Sequence, residues 1–191
     1  PVQIGGSAQL YDNNQGGTAP WAVPTDVRSQ QCRIKVQSSI NANNYAISTP
    51  AFLIKNRITV TSPTTGTPEW LVGNITPYVI QWSYEGPSTT TVKIEYSENG
   101  DTGPFVLLPG IPTAGNVSIG SGGTGSFNWT ISTLTPLTTT GKIKVTDIGI
   151  PLATGKSAGN LRVIGNVVPD ELIGSPLKIG DPYNITWTLL G

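Results

Sequence analysis

Histidine and methionine are absent from this 191-residue chain, and cysteine occurs once. Without histidine the chain lacks the commonest general base and the commonest zinc ligand. The lone Cys32 excludes an internal disulfide. A secreted chain of this size without one takes its core from size, not from bridging. Charge is scarce too. It makes up 12% of the residues, 11 basic against 11 acidic, where roughly 25% is usual. A neutral surface of this kind excludes nucleic acid as the main partner, because phosphate neutralisation needs a basic face. No apolar run approaches the roughly 20 residues of a membrane helix. The opening PVQIGG lacks the charged and then apolar start of a secretory leader. An export signal is therefore expected outside these residues.

Thr, Ser, Gly, Pro and Asn fill the space left by charge, as on hydroxyl-rich extracellular β proteins. Pro or Gly interrupts every window long enough for a helix, while strand signals recur every ten or so residues. RITVT (57–61) alternates Ile58 and Val60 with polar residues. YVIQW puts Tyr78, Ile80 and Trp82 on one face, TVKIEYS puts Val92, Ile94 and Tyr96 inward, and KIKVT does the same with Ile143 and Val145. Asn99-Gly100 reads as a hairpin turn. Alternation with one polar face predicts antiparallel sheets over one core. Strands this short and frequent predict an all-β, immunoglobulin-like β-sandwich.

The chain also repeats itself. Tyr78, Ile80 and Trp82 match Tyr183, Ile185 and Trp187 at an offset of 105. LVGNITPY (71–78) matches KIGDPY (178–183). Trp21, CRIKV and FLIKN match Trp129, GKIKV and RVIGN at offsets of 108 to 110. Residues 57–166 hold the full set, residues 1–56 only its later half, and residues 167–191 only its opening. The chain therefore reads as tandem units of about 105–110 residues, one complete and two partial. A half sandwich cannot bury its sheet face. Either the chain is an excerpt of a longer array, the preferred reading, or half-units complete each other between neighbouring chains. Both give a linear array, in which Tyr183, Ile185 and Trp187 pack against Ile34, Val36 and Ile54 of a neighbouring segment.

ITVTSP, EWLVG, YVIQW, VKIEYS, GSFNWTI, IKV and LRVIG follow one another in residues 57–166. In this the complete unit resembles the Ser/Thr-rich, GPI-anchored membrane family, which groups fungal cell-wall synthesis domains with repeats of bacterial and archaeal surface proteins. The resemblance implies a surface or wall location and carries over no catalytic residue.

Individual residues add little chemistry. Cys32, in step with Ile34 and Val36, is expected to be buried and inert. Trp82 and Trp187 alternate with inward residues and are read as core. Trp70, beside a turn, is the tryptophan to watch as a surface aromatic. No cofactor is expected. Calcium wants six or more oxygens, for which only Glu98 with Asp101, or Asp12 with Asn13 and Asn14, come into question, and Asx-rich turns are usually just turns. Asn74, Asn116, Asn128 and Asn184 each open an Asn-x-Ser/Thr triplet. Pro77 spoils the first, leaving Asn116, Asn128 and Asn184 as candidate glycosylation acceptors, with Asn128 and Asn184 expected within strands. The expected function is structural: an extracellular repeat forming a fibre, sheath, stalk or surface layer with copies of itself. A module binding wall polysaccharide, or an adhesin, is the alternative. An enzyme is not expected, since no nucleophile has a base and no metal-ligand spacing occurs.

Overall fold

The computed structural model describes residues 21–64, 69–88, 90–171 and 177–191. In chain order its strands are β1 (Ser29–Cys32), β2 (Lys35–Gln37), β3 (Tyr45–Ile47), β4 (Phe52–Ile54), β5 (Arg57–Ser62), β6 (Trp70–Leu71), β7 (Tyr78–Glu85), β8 (Thr91–Ser97), β9 (Val106–Leu107), β10 (Val117–Ser118), β11 (Thr124–Trp129), β12 (Thr138–Asp147), β13 (Thr154–Lys156), β14 (Leu161–Ile164), β15 (Asn166–Pro169) and β16 (Trp187–Leu190). The helical turns among the described residues are two 3-10 segments, Gly100–Thr102 and Pro112–Gly115. The protein is all-β. It divides into two compact units, one running to Asn56 and including Glu85–Pro87, the other made of Arg57–Tyr84 and Ser88–Gly191.

In the second unit β11, β7 and β5 form one sheet in that order. The other sheet runs β10-β8-β12-β14-β6, with β13 also on β12 and β9 also on β8. β11 with β7, and β8 and β12 with their neighbours β9, β10, β13, β14 and each other, pair antiparallel, while β14 pairs β6 in parallel, Val163 facing Trp70. The period-2 alternation of apolar residues sends Ile58, Val60, Ile80, Trp82, Val92, Ile94, Tyr96, Ile143 and Val145 into one cluster, each 7% exposed or less. Inward residues from both sheets meet there, an arrangement compatible with a β-sandwich.

Two glycines admit close contacts, one between the sheets and one within the β11–β7 pair. A Cβ on Gly155 of β13 would lie 2.5 Å from the carbonyl oxygen of Ile58, so β13 rests on the backbone of β5. A Cβ on Gly125 of β11 would lie 2.4 Å from the Trp82 ring, so only glycine admits the indole. Trp82 then donates from Nε1 to the Ile119 carbonyl at 2.8 Å.

Trp70 is a correction to the sequence reading. It is 3% exposed, stacked on Tyr78 at 4.7 Å and edge-on to Trp129 at 5.9 Å. Burial in this aromatic group outweighs its place beside a turn. Asn99-Gly100 is not a two-residue hairpin. Asn99 keeps φ at −101°, and Gly100, at +67°, opens the 3-10 turn that leads toward β9.

The first unit is built from the same pairings as part of the second. β2 pairs β3 through Lys35 with Ile47, Val36 with Ala46 and Gln37 with Tyr45. β12 pairs β13 through Lys144 with Lys156, Val145 with Gly155 and Thr146 with Thr154, each 109 positions later. β1 pairs β4 through Ser29 with Ile54 and Cys32 with Phe52, with an irregularity between them. At the same offset of 109, β12 pairs β14 through Thr138 with Val163 and Gly141 with Leu161, again with an irregularity.

Side chains follow the same register. Ile34 donates its N–H to Ser48 Oγ at 2.9 Å, as Ile143 does to Ser157 Oγ at 3.2 Å. Arg33 reaches the Ser48 carbonyl at 2.9 Å, as Lys142 reaches that of Ser157 at 3.1 Å. One local sequence pattern thus closes the same hydrogen-bonded frame twice.

Candidate functional site

The clearest cluster of charge lies across β8, β12 and β13. Glu95 is 5% exposed, and its carboxylate meets Lys93 Nζ at 2.9 Å, Lys144 Nζ at 2.9 Å and the Thr146 hydroxyl at 3.3 Å. Burial alone would raise its carboxyl pKa, but the two lysines reverse that and hold it below the usual 4.5. Lys144 and Lys156 also lie over the Phe105 ring, at 4.4 and 5.0 Å. Asp101 accepts from Lys156 at 3.2 Å. Every charge in this group faces a partner within the protein, which is how a sheet face is held together, and none is left aimed at a ligand.

A group whose carboxyl is depressed on folding stabilises the protein above its ordinary pKa. That contribution is lost as pH falls below 4.5 toward the lowered value. Glu95→Gln is therefore expected to flatten the acid side of the stability profile, at a cost of about 1–3 kcal/mol near neutrality. Urea midpoints measured at a series of pH values check both. Parallel acid limbs in the two proteins would contradict the assignment.

A shallow cleft of ≈ 580 Å³ lies beside Thr61, Gln81, Ser118, Thr124 and Ser126. Its walls carry hydroxyls and an amide. Trp82 lines it too, but is 1% exposed and so presents no ring face for a sugar to stack on.

The remaining sequence candidates fall as follows. Among the described residues no three His, Cys, Asp or Glu side chains gather as metal ligands. Glu98 is exposed, and Asp101 turns to Lys156. Asp12, Asn13 and Asn14 lie outside the described residues. Asn116, Asn128 and Asn184 are all exposed. Asn128 lies in β11, but Asn184 precedes β16 and is not in a strand. Asn74 is half-buried and donates to the Tyr78 hydroxyl at 3.2 Å. Cys32 is only half-buried, not enclosed as expected. Its counterpart Gly141 is buried under the Tyr96 ring of β8, whereas no described strand takes that place beside β1 and β2.

The assembly residues show the sharpest contrast. Ile34 and Val36 are 40% and 69% exposed, while Ile143 and Val145 at the same register are 0% exposed. Ile54, by contrast, is already buried at 6%. At the other end β15 and β16 pair through Asn166–Leu190, Val167–Leu189, Val168–Thr188 and Pro169–Trp187. Tyr183, Ile185 and Trp187 are 40%, 69% and 58% exposed. Two others went unnoticed in the sequence. Ile179 is fully exposed where its match Val72 is fully buried, and Leu189 is 68% exposed where its match Tyr84 is 7%. Gly73 and Gly180, matched in the two turns, both hold positive φ, +68° and +90°. Carrying the repeat offset through every apolar position would have found them.

No protein-family model matches this chain, and neither a curated protein nor a solved structure matches it. Among the described residues no helix is long and apolar enough to cross a membrane.

Proposed function

We propose that this chain is a structural, non-enzymatic repeat of an extracellular surface, made of immunoglobulin-like units of about 105–110 residues that join head to tail. The units are those delimited above: a later half in residues 1–56, a complete unit in 57–166 and an opening in 167–191. One observation carries the reading. Positions that are buried in the complete unit recur as exposed apolar side chains in the partial ones, Val145 against Val36 and Trp82 against Trp187 among them. Burying such a side chain contributes about 1.5–3 kcal/mol. The four at Ile179, Ile185, Trp187 and Leu189, whose matches are buried, therefore match the about 4–15 kcal/mol that association costs. The motif order shared with the Ser/Thr-rich GPI-anchored family supports a surface or wall location.

The test is assembly. Sedimentation of the chain from micromolar to millimolar concentration should show open-ended growth beyond 20.1 kDa, with linear particles in the electron microscope. A single 20.1 kDa species throughout would end the proposal. The alternative, a module binding wall polysaccharide, is favoured by exposed Trp187 and Tyr183. It predicts binding on a glycan array that Trp187→Ala removes, without any self-association.

A further inference from the structure

The β15–β16 ribbon is fastened to the second unit at its base. Leu190 packs against the core cluster that contains Val72. A Cβ on Gly73 would lie 2.7 Å from Leu190 Cδ1, so glycine there leaves room for the leucine. A Cβ on Gly191 would lie 2.8 Å from Val72 Cγ2, 3.2 Å from Leu137 Cδ2 and 3.3 Å from Gly165 Cα. Val72, Leu137 and Gly165 thus form a seat, and the Leu190-Gly191 end of the ribbon fills it. Gly165 alone separates β14 from β15, so the chain passes into the ribbon at the seat itself.

The first unit holds a matching seat. Glu85-Gly86 matches Leu190-Gly191 at the offset of 105. At the offset of 109, Asn56 matches Gly165 and Arg28 matches Leu137. Glu85–Pro87 belong to the same compact unit as the residues up to Asn56. A Cβ on Gly86 would run into the Asn56 side chain, as one on Gly191 would meet Gly165. Both glycines take positive φ, +125° and +104°, which other residues enter only with strain. The backbone arrangement is therefore kept while the side chains change together. Leu137, Gly165 and Leu190 make one seat, and Arg28, Asn56 and Glu85 make the other. Two leucines give way to charges of opposite sign, and a glycine gives way to an asparagine only 2% exposed.

We infer that this seat is the joint between consecutive repeats and that it discriminates between them. A seat with Leu137 and Gly165 takes an opening ribbon that ends in Leu-Gly. A seat with Arg28 and Asn56 takes one that ends in Glu-Gly. The inference rests on the repeat reading above and adds the choice of partner to it. A glutamate brought to the leucine seat would lose water beside Val72 and Leu137 with no cation there to meet it. A leucine brought to the arginine seat would leave the guanidinium against an apolar side chain. Burying an uncompensated charge is costly, and specificity comes from that penalty as much as from the matched contact. Repeats joined in this way follow one another in a fixed order and are not interchangeable.

A lone two-stranded ribbon is marginal in water, so exchange of the β15–β16 amides reads how firmly the seat holds its base. The probe is amide hydrogen exchange on the intact chain in dilute solution. Leu190→Glu should speed exchange along the ribbon about tenfold or more, and adding Leu137→Arg should recover about threefold or more of that loss. Leu137→Arg with Leu190→Arg should recover nothing, because like charges then share the seat. The amides of Ile94 and Val145, in β8 and β12, should stay slow throughout. Four results would each overturn the inference: ribbon exchange unmoved by Leu190→Glu; no recovery when Leu137→Arg is added; equal recovery in the like-charge pair; or lost protection at Ile94 and Val145, which would make Leu190 part of the unit's own core and not of a joint. The readout lies within one chain. Failure of the sedimentation test with this exchange pattern intact would remove the array and leave the matched seat. The reverse outcome would leave an array whose joints do not discriminate.

Discussion

Trp82→Ala is expected to destabilise the second unit by about 3–5 kcal/mol, enough to remove much of the about 5–15 kcal/mol that holds a typical domain folded. The side chain is 1% exposed and sits among the inward residues of both sheets. Its removal leaves a cavity that β strands, tied by their ladders, cannot close. It also leaves the Ile119 carbonyl without the 2.8 Å bond from Nε1. That bond joins β7 to a turn where Gly120 takes φ of +110° and a Cβ would lie 2.0 Å from the Thr124 oxygen. The same contact can be tested from the opposite side. Gly125→Val would drive a side chain into the indole and into the Ile119 carbonyl, 2.2 Å from its Cβ. Overpacking of this kind costs about 1–3 kcal/mol or more. Urea unfolding followed by circular dichroism measures both variants. A loss below about 1 kcal/mol for Trp82→Ala would mean that the indole is not the centre of this core.

The second large effect concerns assembly and not stability. The double variant Ile185→Asp with Trp187→Asp is expected to weaken self-association by about a hundredfold or more, since two large apolar anchors are replaced by charges in an interface core. The folded chain should not notice. Both side chains are more than half exposed, at 69% and 58%, so the substitutions remove little buried surface. The melting temperature should stay within a degree or two, as for surface substitutions that change stability by about 0.5 kcal/mol or less. Sedimentation and thermal unfolding on the same samples separate the two readouts. Unchanged association would show that the β15–β16 ribbon is not the joint. A large fall in melting temperature would show that the ribbon is instead part of the unit's own core.

The pattern that made strands was legible from the start. Alternation in RITVT, YVIQW, TVKIEYS and KIKVT gave the inward residues of β5, β7, β8 and β12, because side-chain direction in a strand depends only on odd and even position. The repeat was legible for the same reason. A shared local pattern closes a shared hydrogen-bonded frame, and the β2–β3 ladder accordingly recurs, pair for pair, as β12–β13. What could not be read was which copies of a residue are buried. Trp82 and Trp187 stand in nearly the same hexapeptide, yet one is 1% exposed and the other 58%. Burial is made by whatever faces the strand from elsewhere in the chain. Trp82 has β8, β11 and β12 around it, whereas among the described residues Trp187 has only β15 paired beside its strand. Trp70 shows the converse: its neighbours in sequence suggest a turn at the surface, and Tyr78 and Trp129 enclose it. The Glu95 pair of lysines likewise joins adjacent strands, with Lys144 arriving from β12. Local alternation sets the direction of each side chain. Only the three-dimensional pairing of distant strands sets what it meets there, because contact free energy depends on spatial neighbours and not on sequence neighbours.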